Sequence, residues 1–456
     1  MRILMTPLIC TKQEVFRESE FITFFQIAKQ WKEHYCIMAV PDLAVIPEDF
    51  KLPNLQYYRT RSWFHYNLGK AHVDTCIIEN FAPLGSKNFV DFVLTSRSTA
   101  AVNLQKMLYA GPGVKVPVVV LDSWVTSTIE SESDYENILR ASAYATLPVI
   151  FLTSRERDFA LNMSKKFLSP LAVAKARSSC LVQSAGVPLK KIQSVVQSVQ
   201  KFDKFTLTFA GRFNPNKRWE EVLSTYKTFV LSHPNSQAKA IKLGVTEAQV
   251  EVTSHLTNVE FLEPLPYEGY VELLCKSHLF LSCSVDEGFS FGWSEKIATG
   301  NPVILPEKTW AIELVGKEYP FMYSSRSEML KMLEYCYHNY NAAQEMVKPF
   351  SEKYVEKHDI EYALTRILSY ASKSIEGSYG TFKDWEPRLR EVLDELPSTF
   401  SLSEFVKAAK VLENMEFDAA LPQYGITSNR RNLVFWLRKF CDELVTSKHL
   451  FRKKAS

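Results

Sequence analysis

Glycine is scarce in this sequence. The 456-residue chain has 15, about 3% where roughly 7% is usual, and none precedes Gly69. That absence excludes a glycine-rich phosphate loop after the first strand, where dinucleotide-binding proteins carry theirs. The eight cysteines form no CxxC pair and, with the nine histidines, no metal-ligand spacing. This argues against a zinc site or a disulfide framework and for the reduced thiols of a cytoplasmic protein. His65, His72, His233 and His278 have no partner at ligand spacing and read as structural. A charge excess is missing too, since 54 Lys+Arg against 51 Asp+Glu leave +3, which argues neither for nor against nucleic acid. No apolar run approaches the roughly 20 residues of a membrane span. Met1-Arg2-Ile3-Leu4-Met5 passes directly into a strand pattern, without the basic start and long apolar stretch of a signal peptide. The expected location is therefore the cytoplasm, or the host's cytoplasm for a viral chain.

Aromatic residues are plentiful, with 30 Phe, 20 Tyr and 8 Trp, and 46% of the chain is hydrophobic. A chain of this length and composition buries more than one core, so two domains and an appendage are expected. Short apolar runs alternate with helical patterns, as in parallel α/β units. The first half offers strands at Arg2–Met5, Cys36–Val40, Thr75–Ile78, Phe89–Leu94, Val116–Leu121 and Val149–Leu152, with helices at Phe16–Lys32 and Ser98–Tyr109. Gly111-Pro112-Gly113 lacks the third glycine of a dinucleotide fingerprint and reads as a turn. After mixed helix and coil over Ser154–Val199, the pattern restarts. Strands are expected at Phe205–Ala210, Ala240–Leu243, Val259–Leu262, Leu279–Ser282 and Pro302–Leu305, with helices at Trp219–Leu231 and Phe291–Thr299. The expected architecture is α/β: two doubly wound Rossmann-like domains, 1–200 and 201–372, facing a cleft beyond their strands' carboxyl ends. Helices at Met329–Asn339 and Ile360–Ala371, then a join at Ser372–Lys383, lead to a helical basic extension over 373–456.

Two segments of the second domain carry chemistry. Ser284-Val285-Asp286-Glu287-Gly288-Phe289-Ser290-Phe291-Gly292-Trp293-Ser294-Glu295 takes a strand through a polar turn into a helix that stops at Gly300. The N–H groups at such a helix start, with the helix dipole, make an anion site, and Gly288 lets the backbone come close. On spacing alone the same segment also reads as an ordinary strand, turn and helix with a solvated Glu. Upstream, Gly211-Arg212-Phe213-Asn214-Pro215-Asn216-Lys217-Arg218 sets three cations directly after a strand. They can neutralise a diphosphate, or simply form a solvated turn. Together the two anion-seeking elements favour a phosphate ligand.

Gly211-Arg212, Lys217, Glu287-x7-Glu295 and Gly300-x-Pro302-Val303-Ile304 resemble the donor-binding domain of family 4 retaining glycosyltransferases, of the two-domain GT-B architecture. Ala185–Ile192 and Asn258–Leu262 add to the likeness, which covers residues 185–320 well and 1–184 in outline. The resemblance implies a hexosyl- or pentosyltransferase that uses a nucleotide sugar, such as a UDP- or GDP-sugar, with no cofactor and no metal. It implies that Arg212 and Lys217 bind the diphosphate and stabilise the departing nucleoside diphosphate. Glu287 would touch the sugar's hydroxyls, the backbone of Gly211, Gly288, Phe289 and Ser290 would lie near the donor, and Glu295 would bind the ribose. The first domain departs from the family. Thr6–Lys12 has no glycine, and Asp122-Ser123-Trp124 stands where a His is often found. Asp122 reads either as an acceptor-side polar group or weak base, or as a carboxylate capping a turn. Ser96, Arg97 and Trp124 are further acceptor-side candidates.

The tail is basic. Between Arg430 and Ser456, Arg430, Arg431, Arg438, Lys439, Lys448, Arg452, Lys453 and Lys454 face only Asp442 and Glu443. Capping patterns at Ser401–Glu404 and Thr427–Asn429 predict helices, the second reaching about Val445, and a basic hairpin-like end follows at Ser447–Lys454. Helix, helix and wing resemble a winged helix-turn-helix, which would bring these cations to nucleic acid. A hydroxymethylated DNA base is then an acceptor, extruded from the duplex to be reached. Three other readings stay open: an anionic membrane surface with a lipid-linked or polysaccharide acceptor, a helical cap, and a non-catalytic nucleic-acid-binding protein.

Overall fold

The computed structural model describes residues 2–7, 9, 13–17, 19–60, 90, 92–96, 98–110, 117–122, 134–242, 258–378, 397, 399–401, 404, 441–445 and 450–453. Its contacts divide the chain into two units. One comprises Met1–Phe151, Phe159–Leu181 and Ile367–Ser456, and the other Leu152–Asp158 and Val182–Arg366. The chain thus visits the second unit first over Leu152–Asp158 and returns to it at Val182.

In the first unit, β1 (Arg2–Thr6), β2 (Tyr35–Val40), β3 (Leu55–Arg59), β4 (Phe92–Thr95), β5 (Val118–Asp122), β6 (Val149–Phe151) and β7 (Leu181–Val182) form one sheet in the order β3-β2-β1-β4-β5-β6-β7. The pairs from β3 through to β6 are parallel. Their apolar runs fit strands buried on both faces, and Ile3, Leu4, Met5, Met38, Val93, Leu94 and Val119 are fully buried. Among the described residues five helices lie between the strands: α1 (Ser19–Gln30), α2 (Ser98–Ala110), α3 (Asp134–Thr146), α4 (Ser154–Ser164) and α5 (Pro170–Ser179). The chain passes between units within α4. The strand order reverses between β1 and β4, which marks a topological switch point. β3 was not expected, and the strand expected at Thr75–Ile78 and the turn at Gly111–Gly113 lie outside the described residues.

The second unit repeats the plan. β8 (Phe205–Phe209), β9 (Ser236–Ile241) and β10 (Val259–Leu262) form a parallel sheet in the order β10-β9-β8. β11 (Phe280–Leu281), β12 (Val303–Pro306) and β13 (Met322–Tyr323) form another, in the order β11-β12-β13. Leu207 and Leu279 bridge them in parallel, so the strands read 10-9-8-11-12-13, the doubly wound order with its reversal between β8 and β11. Among the described residues its helices are α6 (Leu189–Ser198), α7 (Trp219–Ser232), α8 (Tyr267–Lys276), α9 (Phe291–Ala298), α10 (Thr309–Val315), α11 (Arg326–His338), α12 (Tyr340–His358) and α13 (Ile360–Ser378). α13 carries the chain back to the first unit and runs through the first half of the expected join.

Two side chains hold β8 and β11 together as they part. Tyr226 of α7 is fully buried. Its hydroxyl donates to Thr208 O at 3.2 Å and accepts from Leu281 N at 3.1 Å. At the other end, His278 Nδ1 accepts from Thr206 N at 3.1 Å, while Thr206 O receives the N–H groups of His278 and Leu279.

In the tail, β14 (Thr399–Ser401), β15 (Cys441–Val445) and β16 (Leu450–Lys453) form an antiparallel sheet in the order β14-β16-β15. The helix expected to reach Val445 is corrected by β15. Its register sets Asp442 opposite Arg452 and Glu443 opposite Phe451, a hairpin pairing between neighbouring segments that helical spacing within one segment does not register.

Tyr226→Phe keeps the ring and removes the bridge. Urea denaturation should lose about 1–3 kcal/mol of stability at an unchanged m value, and an unshifted midpoint would refute the bridging role. Acid should also destabilise the chain. Burial, helped by the Lys201 ammonium, pushes His278 down to about 4, and burial with Lys357 does the same to His358. The unfolded chain takes up these protons near pH 6.5 and the folded chain only near 4. Their contribution is therefore complete above about pH 6.5 and is lost as pH falls toward 4. Melting temperatures should decline over that window, less steeply in His358→Gln, whereas equal slopes would contradict the assignment.

Candidate active site

The carboxyl ends of β8 and β11 lead into the two loops singled out in the sequence. After β8, Asn214 Oδ1 accepts Lys217 N at 3.1 Å and starts a 3-10 turn over Pro215–Lys217. Arg218 follows with φ +44°, the one non-glycine residue with positive φ among the described residues. This left-handed residue costs about 1–2 kcal/mol and turns the chain into α7, whose first residue, Trp219, is buried.

Asn216 joins this loop to the one after β11. Its side-chain amide donates to Asp286 O and accepts from Asp286 N at 3.2 Å, and its carbonyl accepts Val285 N at 2.8 Å. The clamp brings Lys217 to Glu287. The Lys217 ammonium bonds the Glu287 carboxylate, which also accepts the indole N–H of Trp293 at 3.2 Å. Glu287 is buried and Lys217 partly so. A second clamp comes from Arg155, which belongs to this unit. Its guanidinium donates to the Glu287 carbonyl and to Asp286 Oδ1 at 2.8 Å. Gly288 answers a close approach, since a Cβ there would stand 2.9 Å from Glu156 Oε1.

α9 begins at Phe291, and its N-cap, Ser290, makes no side-chain cap. The first-turn N–H groups therefore keep their capacity for an anionic ligand. Glu295 lies deeper in the helix and is buried. Tyr270 Oη donates to it at 2.8 Å, and burial raises its carboxyl above the usual range against the opposing hydrogen bond. Beside it, burial pushes Lys296 down to about 8. The Lys296 ammonium donates to Ala210 O at 2.9 Å and Gly292 O at 3.1 Å, and lies 4.6 Å over the Trp293 ring. It thereby pins the loop after β8 to the start of α9.

No protein-family model matches this chain, and no curated protein does. Solved structures match in fold. The Anabaena protein HepE, in complex with UDP, is 14% identical, with a TM-score of 0.58 over 82% of this chain and 100% of its own. The fold is that of the GT-B glycosyltransferases. A glycosyltransferase from Rickettsia africae is 14% identical at a TM-score of 0.57, covering 82% of this chain and 98% of its own. Sucrose-phosphate synthase from Thermosynechococcus elongatus is 11% identical at 0.59, covering 82% and 99%.

Of the expected residues, the second unit holds Gly211, Arg212, Lys217, Glu287, Gly288, Phe289, Ser290 and Glu295 on the two loops and α9. Arg212 is exposed, and its guanidinium makes no hydrogen bond or ion pair among the described residues. In the first unit, Ser96 lies at the β1/β4 switch point, donating to Glu20 Oε2 at 2.7 Å. Asp122, at the end of β5, is 1% exposed, accepts the Tyr144 hydroxyl, and has Arg140 Nη1 at 4.0 Å. These partners engage its carboxylate within the core. Arg97, Trp124, Arg430, Arg431, Arg438, Lys439, Lys448 and Lys454 lie outside the described residues, and Arg452 and Lys453 are on β16. Asn216, Trp293, Lys296, Tyr270 and Arg155 join the site without standing out in the sequence as candidates. The signal for Lys296 is its place directly after Glu295 and before the apolar pair Ile297 and Ala298.

Removing the ammonium leaves a buried carboxylate with one partner fewer. Lys217→Met should cost about 3 kcal/mol and Glu287→Met less, because Lys217 can reach water. The double variant should recover part of the Lys217→Met loss in urea denaturation, and strictly additive losses would deny the coupling.

Proposed function

We propose that the chain is a retaining glycosyltransferase that moves a sugar from a nucleotide-activated donor to an acceptor hydroxyl. The observation that carries this is the meeting of Lys217, Glu287 and the uncapped start of α9 where β8 and β11 part. A switch point is where doubly wound sheets bind ligands, and a lysine beside helix N–H groups there suits a diphosphate. That HepE has been crystallised with UDP and with UDP-glucose agrees with such a donor.

In this reading Lys217 and Arg212 bind the diphosphate, aided by the N–H groups of Gly288, Phe289 and Ser290. Glu287, already oriented by Trp293, accepts hydrogen bonds from the sugar's hydroxyls. Glu295 accepts those of the ribose, in exchange with Tyr270. As the anomeric carbon's bond to phosphate oxygen breaks, its bond to the acceptor oxygen forms on the same face. The acceptor's proton passes to the departing phosphate, whose charge the cations and helix start stabilise. No divalent metal is needed in this scheme.

A DNA acceptor fits the tail. A short strand, a long intervening segment and a hairpin whose second strand returns to the first are the parts of a winged helix-turn-helix, and β14, β15 and β16 pair in that way. Hydroxymethylated bases would offer the hydroxyl.

Transfer from UDP- and GDP-sugars should be measurable in the wild type and fall at least a hundredfold in Lys217→Ala and Glu287→Ala. Unchanged turnover in both would sink the site. For the acceptor, Arg452→Ser/Lys453→Ser should weaken binding to hydroxymethylated duplex and flatten its logarithmic salt dependence by about 2. An unchanged slope, with binding to anionic vesicles reduced instead, would move the acceptor to a membrane surface.

A further inference from the structure

A second cluster lies outside the donor site. His233 follows the last residue of α7, and Glu334 and His338 sit one turn apart on α11. α7 runs 14 residues from Trp219, so at 1.5 Å per residue His233 is about 20 Å from the loop that holds Lys217. Glu334 Oε2 is 3.0 Å from His233 Nε2 and 3.6 Å from His338 Nε2, and one donor atom from each of the three residues lies within 4.8 Å of the others.

The chemistry of His233 is settled by its other nitrogen. Nδ1 is 2.9 Å from Phe229 O, and a carbonyl only accepts, so Nδ1 carries a hydrogen. Neutral His233 then presents a lone pair from Nε2 toward a carboxylate oxygen. Two acceptors at 3.0 Å need a positive charge between them. A proton can occupy one such gap, whereas a divalent ion can satisfy all three donors together. Zinc binds His and carboxylate at about 2.0–2.2 Å, and two ligands at the tetrahedral angle around it are about 3.4 Å apart. The distances of 3.0 and 3.6 Å straddle that value.

The surroundings support the ligands. The imidazole's hydrogen bond to a backbone carbonyl is the outer contact that fixes metal-bound histidines, and the His233 ring stacks on Phe229 at 4.1 Å between centroids. Glu334 and His338 share one face of α11 through their i, i+4 spacing. The side chains of Glu334 and His338 are 47% and 63% exposed, which leaves room for an ion to enter and for water to fill its fourth position.

We propose that His233, Glu334 and His338 form a divalent transition-metal site, of the zinc type, that ties the end of α7 to α11. The site is independent of sugar transfer. Titrating the full-length, metal-stripped chain with zinc chloride, in calorimetry or against a chromophoric chelator, should give one ion per chain. Zinc should also raise the melting temperature, with magnesium and calcium inert at the same concentration. His338→Gln and Glu334→Gln, at half-exposed positions, should fold normally, bind zinc at least tenfold more weakly, and leave donor binding as in the wild type. Absence of zinc uptake would overturn the proposal and leave the gap to a proton. Uptake undiminished in both variants would overturn it as well, by placing the ion on other groups.

Discussion

The second unit is organised by the parting of β8 from β11. Two parallel strands that diverge leave backbone donors and acceptors with no ladder partner, and buried groups of that kind must be satisfied. Tyr226 serves both strands with one hydroxyl, His278 holds their amino ends, and the loops beyond the carboxyl ends are free to meet each other. Asn216 and Lys296 then link those loops through backbone atoms. The charged pair Lys217 and Glu287 is thus placed by the hydrogen bonds of Asn216, the buried Lys296 ammonium and the Arg155 guanidinium, and the pair need not hold the loops itself.

This division of labour suits a site that must exchange partners. A carboxylate and an ammonium joined only to each other form a closed structural pair, costly to open when buried. Here Glu287 keeps Trp293 when Lys217 leaves, and Lys217 is near enough to water to turn toward an anion. The loops meanwhile stay clamped through Asn216 and Arg155.

Much of the second unit was legible because its signals are local. The apolar runs of β8, β10, β11 and β12 lie within one residue of their expected places, and α9 starts at Phe291 as expected. β9 begins four residues early, at Ser236, because its partly exposed Gln237 and Lys239 alternate with buried Ser236, Ala238 and Ala240 and break up the apolar run. α12 was passed over because Pro349 lies inside it, which local rules read as a break. Within the site, the Arg, Lys and Glu residues stand out by type and spacing. Trp293 and Asn216 do not, since an indole in a helix or an asparagine in a turn has commoner uses. Arg155 was out of reach of any spacing argument, because 131 residues separate it from Asp286.

That separation bears on how the unit is built along the chain. The residues from Val182 to Arg366 contain both loops, yet the guanidinium that secures the Glu287 peptide is carried by a seven-residue stretch, Leu152–Asp158, made well before them. The loop after β11 can therefore reach its final shape only after a long closure, whose entropy grows slowly with length but falls on this one contact region. During synthesis the clamp emerges first and waits for its loop. A continuous excision of the second unit would keep both glutamates and lose the residue that fixes the backbone of one of them.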